Sequence, residues 1–366
     1  MFKLKEIIVQ RYISLDALRG LTIALMILVN TPGSWSYVFE PLLHASWHGL
    51  TPTDLVFPFF MFIVGSAMFF AFKKQNYTLD AALSFKIIKR GFLIFLIGFL
   101  LNIYPFTGDP DAWRVMGVLQ RIGIAYIFAA FIVCLVNQRG VLIISVLILG
   151  AYHVILTSVG AGGYELENNL VRQLDIAILG ANHMYGGFGL PFDPEGLLST
   201  VPSIVSVLFG FEVTRFISQI EDKRESMLKL IQLGVLGLAA GLLLDFFIPI
   251  NKALWTSSYV IYTAGFACLT LAIFVYIIDL RQLEKPVAPL LVYGTNPLFI
   301  YVLSWVWVAS YDFFMIGDVK LHNWMFLTLS EIMPHKLASF VFAFSHVAFF
   351  WWISKWLYQR KIFIKI

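Results

Sequence analysis

The chain has 366 residues, of which 59% are hydrophobic and 13% charged, and its formal net charge is +4 at pH 7. A mean hydropathy of +0.81 excludes a soluble globular protein, and we expect an integral membrane protein without a nucleic-acid partner. Only Cys134 and Cys268 are present, both in apolar segments, which leaves no disulfide framework and no Cys-based zinc site.

Ten segments are long and apolar enough to cross a bilayer, since one span needs about 20 mostly apolar residues. They cover residues 15–33, 54–72, 88–104, 113–136, 140–158, 197–217, 227–248, 256–278, 287–310 and 337–358. We therefore predict an all-α fold, a polytopic membrane helical bundle of about ten transmembrane helices, as a single domain over residues 1–366. The N-terminal stretch is too charged for a cleaved signal peptide, so the first span is expected to remain.

The loops between these spans differ sharply in basic residues. Nineteen Lys and Arg residues lie on the side of the N-terminus and five on the other side. Because basic loops stay in the cytoplasm, both termini are predicted to be cytoplasmic. The long loops 159–196, 249–255 and 311–336 then face outward, together with the segment that carries His44 and His48.

The first span opens with "SLDALRG" (14–20) and closes at Asn30. Ser14 is predicted to cap the helix, and Asp16 and Arg19 are spaced for a local ion pair near the interface. The Asn30 amide has two interpretations: it caps the end of the helix, or it points inward and stabilises an oxyanion during acyl transfer.

The second span begins with "TPTD" (51–54). Thr51 fits an N-cap, Pro52 the first helical position and Asp54 the third, where a carboxylate reaches back to the cap. Asp54 can also accept a hydrogen bond from a nearby imidazole and orient it as a base. Both roles are compatible.

His44 and His48 lie four residues apart in the polar gap before that span. If the segment is helical, they share a face at a zinc-ligand spacing, but no further ligand is arranged nearby and we expect no metal. A histidine that titrates near neutral pH suits a general base or an acyl acceptor. The alternative is that loop histidines are inert.

Polar residues also interrupt the later spans. Arg121 is a permanent cation within span four, and burying such a group is costly enough to mark a functional site. Asp193 and Glu195 in "FDPEG" precede span six, where capping is the simple interpretation. "YGTNPLF" (293–299) predicts a helix break at Asn296 that exposes backbone groups.

Taken together, these stretches resemble the heparan-alpha-glucosaminide N-acetyltransferase family, multispan enzymes that move an acetyl group from acetyl-CoA to the amine of a terminal glucosamine across a membrane. The resemblance extends over nearly the whole chain, through "RYISLDALRGLTIALMILVN", "LLHASWHGLTPTDLVFPFFMFIVGSAMF", "GVLQRIGIAY", "PFDPEGLLSTVPSIVSVLFG", "FIPINKALWTSSYV" and "RKIFIKI". It implies that His44 is the active histidine, that Asn30 assists it, and that Asp54 is the aspartate of the "DLVFP" motif.

The same resemblance implies acetyl-CoA as co-substrate and a glucosamine-type sugar or glycan as acceptor. On this hypothesis the donor contacts Arg121, Gln120, Asn296 and Lys252. The acceptor contacts His48, Asp193, Glu195 and Trp255. A compact bacterial-type enzyme of the inner membrane is expected. It is surrounded by lipid, and the resemblance implies a homodimer, with small residues in "GVLGLAAG" (234–241) spaced either for that contact or for packing within one subunit.

Two other functions fit the same spans. A sugar transporter would use the ten helices and the broken ninth span. An O-acetyltransferase of cell-envelope glycans is indicated by a looser similarity, limited to "SLDALRG", to membrane acyltransferases that O-acetylate surface sugars and have a histidine near the end of span one. Here that position is Asn30, which speaks against their mechanism.

Overall fold

The computed structural model describes residues 12–73, 77–160 and 162–364. Over these ranges the regular secondary structure is almost entirely helical, and the predicted all-α class is confirmed. The helices are α1 (Ile13–Asn30), α2 (Val56–Lys73), α3 (Ala81–Ile103), α4 (Val118–Leu135), α5 (Gln138–Thr157), α6 (Leu170–Leu179), α7 (Leu197–Ile217), α8 (Lys223–Asp245), α9 (Ser257–Phe274), α10 (Ala288–Tyr293), α11 (Pro297–Ala309), α12 (Leu321–Ile332) and α13 (His335–Gln359). One short antiparallel hairpin pairs β1 (Met315–Ile316) with β2 (Val319–Lys320).

Eight helical segments within the described ranges are long and apolar enough to cross a membrane. They are Ile13–Asn30, Pro52–Lys73, Val118–Leu135, Gln138–Thr157, Leu197–Ile217, Lys223–Asp245, Ser257–Leu280 and His335–Gln359. They match eight of the ten predicted spans, so the chain is an integral membrane protein. The remaining two predicted spans correspond to α3, which carries three basic residues in its first half, and to α10 followed by α11.

The total of ten spans and the cytoplasmic termini stay predictions. Five of the basic residues used for that topology lie outside the described residues, namely Lys3, Lys5, Arg11, Lys74 and Lys365.

Helix α1 begins two residues earlier than predicted, at Ile13. Ser14 lies inside the helix and its hydroxyl donates to the carboxylate of Asp279, so the expectation that Ser14 caps α1 is wrong. Its side chain finds a tertiary acceptor instead of the helix's own backbone. The predicted pair is present, with Arg19 Nη1 3.1 Å from Asp16 Oδ1, and Arg19 also donates to the Gly294 carbonyl at 3.2 Å.

The predicted break in the ninth span is confirmed. Helix α10 ends at Tyr293 and α11 begins at Pro297, with Asn296 between them. The Asn296 amide donates to Ile362 O at 2.9 Å and accepts from Ile364 N at 2.7 Å. The Asn296 side chain at the break therefore joins the backbone of the C-terminal segment to the bundle.

Helices α2 and α7 cross in the centre of the bundle at two glycines. A Cβ atom at Gly65 would lie 1.9 Å from Val207 O, and one at Gly210 would lie 1.9 Å from Phe62 O. No other residue permits this approach of the two backbones. The contact fixes α2 against α7, and these are the two helices whose N-terminal turns carry Asp54 and Glu195.

The small residues of "GVLGLAAG" pack within the subunit. A Cβ at Gly237 would lie 2.9 Å from Gly265 Cα, and one at Gly241 would lie 2.6 Å from the Tyr262 side chain. Helix α8 therefore uses this stripe to approach α9. A homodimer stays a prediction that this stripe does not support.

Loop segments 31–55, 104–117, 158–196 and 246–256 meet at one end of the bundle, here called the loop end. Trp47 Nε1 donates to Tyr164 O at 2.9 Å, and Asn251 Nδ2 donates to Trp47 O at 2.9 Å. These bonds bring together segments more than a hundred residues apart in the chain. The loop end contains the candidate site.

Candidate active site

Asp54 lies at the bottom of the site, in the turn that begins α2. The predicted capping box at Thr51 and Asp54 is present. The Asp54 side chain is 1% exposed, and its Oδ2 accepts the backbone N–H groups of Ala45 and Thr51, each at 3.0 Å. The Tyr259 hydroxyl donates to the Asp54 carbonyl at 2.6 Å. These donors hold the carboxylate rigidly and in its charged form.

His44 packs on this carboxylate with about half of its side chain exposed to solvent. Its Nδ1 lies 2.6 Å from Asp54 Oδ1, and its side chain is 47% exposed. Because Oδ1 belongs to an ionised carboxylate, Nδ1 is the nitrogen that carries the proton in the neutral ring. Nε2 then keeps its lone pair, so the pair has the arrangement of a base and the carboxylate that orients it.

The segment around the two histidines is not helical, so His44 and His48 do not share a helix face. His48 lies instead beside Asn251, with 3.3 Å between His48 Nδ1 and Asn251 Nδ2. Gly49 follows at φ +99°, a conformation that L side chains rarely adopt, and its N–H donates to Ile250 O at 2.7 Å. In the described part of the chain no group of three or more His, Cys, Asp or Glu side chains is arranged for a metal.

Lys252 reaches the same imidazole from the loop before α9. Its Nζ lies 2.9 Å from His44 Nδ1, 3.2 Å from His44 Nε2 and 3.5 Å from Asp54 Oδ1. The lysine side chain is 19% exposed. Burial lowers the pKa of Lys252, and the charges of Asp54 and Glu195 oppose this effect. Lys252 is therefore part of the His44 site.

The Lys252 loop is held by its own hydrogen bonds. Asn251 is fully buried, and its Oδ1 accepts from Leu254 N at 2.8 Å. Trp255 N donates to Lys252 O at 3.0 Å. The Trp255 side chain is 0% exposed and packs on Phe57 of α2, with ring centroids 4.9 Å apart. Trp255 thus supports the site from below and offers no open ring face.

Arg114 joins the two acidic residues before α7. Its Nε and Nη2 donate to both oxygens of Asp193, each at 2.8 Å, and Nη2 also donates to Glu195 Oε2 at 2.6 Å. Burial opposes the arginine charge, but the two carboxylates outweigh it and raise the pKa of Arg114. The guanidinium also lies over the Tyr185 ring at 4.9 Å. Asp193 and Glu195 are therefore an ion-paired cluster at the loop end.

Arg121 lies beneath this cluster and is fully buried. Its Nη2 donates to the Ser199 hydroxyl of α7, and its guanidinium lies 4.9 Å from the centroid of the Trp255 ring. Nε and Nη1 have no hydrogen-bond partner within the described residues. Two donors of a buried cation are thus available to a polar group entering from the site.

The remaining predicted residues are more dispersed. Gln120 is buried and donates to Val115 O at 2.9 Å, so it holds the loop before α4. Asn296 lies at the α10–α11 break and is bonded to the C-terminal segment. Asn30, the last residue of α1, is exposed and lines a cavity of about 180 Å³ with Tyr301, Ser304 and Trp305. No contact joins these three residues to His44.

Three residues of the loop end were not singled out by the sequence. Arg114 pairs the acidic residues, Asn251 holds Lys252 in place, and Tyr259 holds the Asp54 backbone. Only Asn251 had a usable signal, as a polar residue next to the lysine of the short "PINKALW" loop. Arg114 and Tyr259 acquire their roles from partners 79 and 205 residues away.

The buried carboxyl group of Asp175 in α6 should make the stability of the folded protein depend on pH. It is fully buried, Oδ1 accepts from Leu197 N at 2.9 Å at the start of α7, and Oδ2 has no partner among the described residues. Burial, together with the nearby Asp193 carboxylate, raises the pKa of Asp175 from 3.8 to about 7, although the hydrogen bond from Leu197 N opposes the shift. The native state therefore binds a proton that the unfolded state releases, and stability falls as pH rises across this window.

We expect Asp175→Asn to remove this pH dependence, worth roughly 2–4 kcal/mol between pH 4 and 8. The measurement is thermal unfolding of purified protein in detergent at pH 5.0 and 8.0. The wild type should lose more stability at the higher pH than the variant does. Glu167→Gln, at an exposed site, serves as the control, and equal losses in all three proteins would contradict the expectation.

Comparison with known proteins identifies relatives of this chain. Residues 11–240 match the family model described as heparan-alpha-glucosaminide N-acetyltransferase, catalytic. The chain is similar to the heparan-alpha-glucosaminide N-acetyltransferases of Mus musculus and Homo sapiens, with 27% identity to each over 410 and 412 residues. The alignments cover 96% of this chain but 60% and 59% of those proteins, so the chain spans about three fifths of their length.

Proposed function

Because this chain belongs to the heparan-alpha-glucosaminide N-acetyltransferase family, we propose that it transfers an acetyl group from acetyl-CoA to the amine of a glucosamine-type sugar. The observation that carries the proposal is the His44–Asp54 pair. A half-exposed imidazole is held at 2.6 Å by a carboxylate that is 1% exposed. Both residues lie within the matched range 11–240.

Acetyl transfer to an amine needs a base that removes a proton from the amine, and the His44–Asp54 pair can supply it. A glucosamine ammonium loses one proton to become nucleophilic, its nitrogen bonds to the thioester carbonyl carbon, and the carbon–sulfur bond breaks. The products are the amide, CoA thiol and one proton. His44 Nε2 takes a proton from the amine and supplies one to the departing sulfur. The alternative route forms a short-lived acetyl-imidazole on the same nitrogen and transfers the acetyl group from there.

The residues around the pair supply binding. The fully buried Arg121, with two donors unpaired, suits a carbonyl or phosphate oxygen of the donor. The oxyanion role of Asn30 draws its support from the family resemblance, since in the structure Asn30 lines a separate cavity of about 180 Å³ with Tyr301 and Ser304. Glu195 and Asp193, which Arg114 holds in a buried ion-paired cluster, support the acceptor vestibule from behind, and His48 lines it.

Gln120, Asn296 and Trp255 are bound to protein partners, and their roles are supporting ones: Gln120 and Asn296 on the donor side, and Trp255 on the acceptor side. Gln120 is bonded to Val115, Asn296 to the C-terminal segment and Trp255 to Ser206.

The location of the reaction follows from the loop charges. With the basic loops in the cytoplasm, His44 faces outward, and acetyl-CoA made in the cytoplasm reaches it through the bundle. A bacterial inner membrane is the setting that we propose, with the sugar or glycan acceptor on the outer side. A homodimer is part of the same proposal and draws its support from the family.

The proposal is tested by activity of the purified protein in lipid nanodiscs. We expect transfer of labelled acetyl from acetyl-CoA to glucosamine, with a product that survives mild alkali because it is an amide. An alkali-labile ester would instead indicate an O-acetyltransferase. Uptake of glucosamine into proteoliposomes without any acetyl product would indicate a sugar transporter. Either of these two results would overturn the proposed function.

A further inference from the structure

Two groups that can carry a positive charge compete for one carboxylate in the site. Asp54 Oδ1 lies 2.6 Å from His44 Nδ1 and 3.5 Å from Lys252 Nζ. The Asp54 carboxylate is 1% exposed and Lys252 19%, so solvent screens this pair only weakly. The lysine ammonium and an imidazolium at His44 would also face each other across 2.9 Å. A single buried negative charge stabilises one of the two cations and not both.

We infer that Lys252 is a positioning residue. Its ammonium is the counter-ion of Asp54, and it thereby keeps the His44 imidazole neutral and able to accept a proton. Without such a cation, an imidazole on a buried carboxylate would hold a proton of its own, and its lone pair would be lost. This role rests on the proposed function, since it concerns the base of that reaction. It differs from the donor-binding role that the sequence suggested for Lys252.

The charges that face Lys252 come from several elements. Asp54 in the turn before α2 and Glu195 before α7 favour its ammonium, while Arg121 of α4 disfavours it. Glu195 is already paired with Arg114 at 2.6 Å, so Asp54 is the carboxylate left for Lys252. The neighbouring Tyr259 hydroxyl is bound to the Asp54 carbonyl and adds no charge. The cluster is therefore balanced when Lys252 is charged and His44 is neutral.

Lys252 Nζ lies at similar distances from the two ring nitrogens, 2.9 Å from Nδ1 and 3.2 Å from Nε2, so it stands over the face of the imidazole and leaves the in-plane lone pair of Nε2 open. The acceptor amine needs that in-plane position. We expect the amine to bind there while Asp54 retains the ammonium. Lys252 then acts on the substrate only through His44.

The experiment measures the protonation of His44 without relying on catalysis. Diethyl pyrocarbonate modifies neutral imidazole but not imidazolium, and mass spectrometry of the His44 peptide gives its modification rate in the intact purified protein from pH 5 to 8. Repulsion across about 3 Å in a water-like dielectric corresponds to about one pH unit. We expect Lys252→Met to move the rise in modification to higher pH by at least that amount.

Lys252→Arg keeps the cation and should leave the profile in place, while Lys320→Met removes an exposed lysine paired with Asp312 and serves as the matched control. If Lys252→Met does not purify as a monodisperse protein, Lys252→Gln replaces it. An unchanged profile in the folded neutral variant would overturn the inference. A shifted profile in a protein without acetyl transfer would support the inference and reject the proposed function.

Discussion

Replacement of His44 by glutamine is expected to lower the rate of acetyl transfer by about 10²–10⁴-fold, because general-base catalysis contributes this much. His48 is the next histidine along the chain and is turned toward Asn251. Glutamine retains a donor for Asp54, so the cap and the loop should stay folded. The measurement is the initial rate of labelled acetyl transfer to glucosamine in nanodiscs at saturating donor.

His335→Gln provides the control, since this exposed ring contacts Tyr37 and none of the site residues. It should retain wild-type activity. His44→Ala adds a second readout, because free imidazole can occupy the vacated space and restore part of the rate. Wild-type turnover in both folded His44 variants would remove the imidazole from the mechanism and leave the His44–Asp54 pair as a structural contact.

Arg114→Met should cause the largest loss of stability of any single change at the loop end. Asp193 is 0% exposed and the Glu195 side chain 10%, so the variant leaves two neighbouring buried carboxylates without their cation. Removal of one partner from a buried pair costs about 3–5 kcal/mol. The measurement is the midpoint of thermal unfolding of the purified protein in detergent, compared with the wild type.

A double variant isolates the charge effect from lost packing. Arg114→Met with Asp193→Asn removes both the cation and the more buried carboxylate, and it should recover part of the stability lost in the single variant. Lys320→Met gives the exposed comparison, since its partner Asp312 is 59% exposed, and it should change stability by less than about 1 kcal/mol. Equal losses for the buried and exposed pairs would show that the cluster around Arg114 is not a stabilising element.

Local patterns in the sequence were good predictors of the elements. Runs of apolar residues located the spans, and the Thr51–Asp54 capping box and the break at Asn296 were both predicted from a few neighbouring residues. The physical reason is that spans, caps and breaks depend on backbone hydrogen bonds satisfied within a few residues. The prediction that Ser14 caps α1 was wrong because its hydroxyl is paired with Asp279, 265 residues away.

The site was predicted in part. His44 and Asp54 are ten residues apart and were expected as a pair from their types and from the family motif, and the structure joins them at 2.6 Å. Lys252 was expected near a substrate, and the structure places its ammonium against the imidazole of His44, which lies 208 residues away in the chain. Arg114 was not singled out at all, because an arginine in a loop has no local pattern that reveals a buried partner.

The amino-acid sequence by itself determined that this protein is a helical membrane bundle, that the second span begins with a capping box, that the ninth span breaks at Asn296, and which histidine and aspartate belong together. These properties follow from hydrophobicity and from hydrogen bonds between near neighbours. Only the tertiary structure decided which cation shares the Asp54 carboxylate, which arginine holds Asp193 and Glu195, and that Trp255 is buried. Those pairings follow from the Coulomb attraction and close packing of groups that the folded loops bring within a few ångströms.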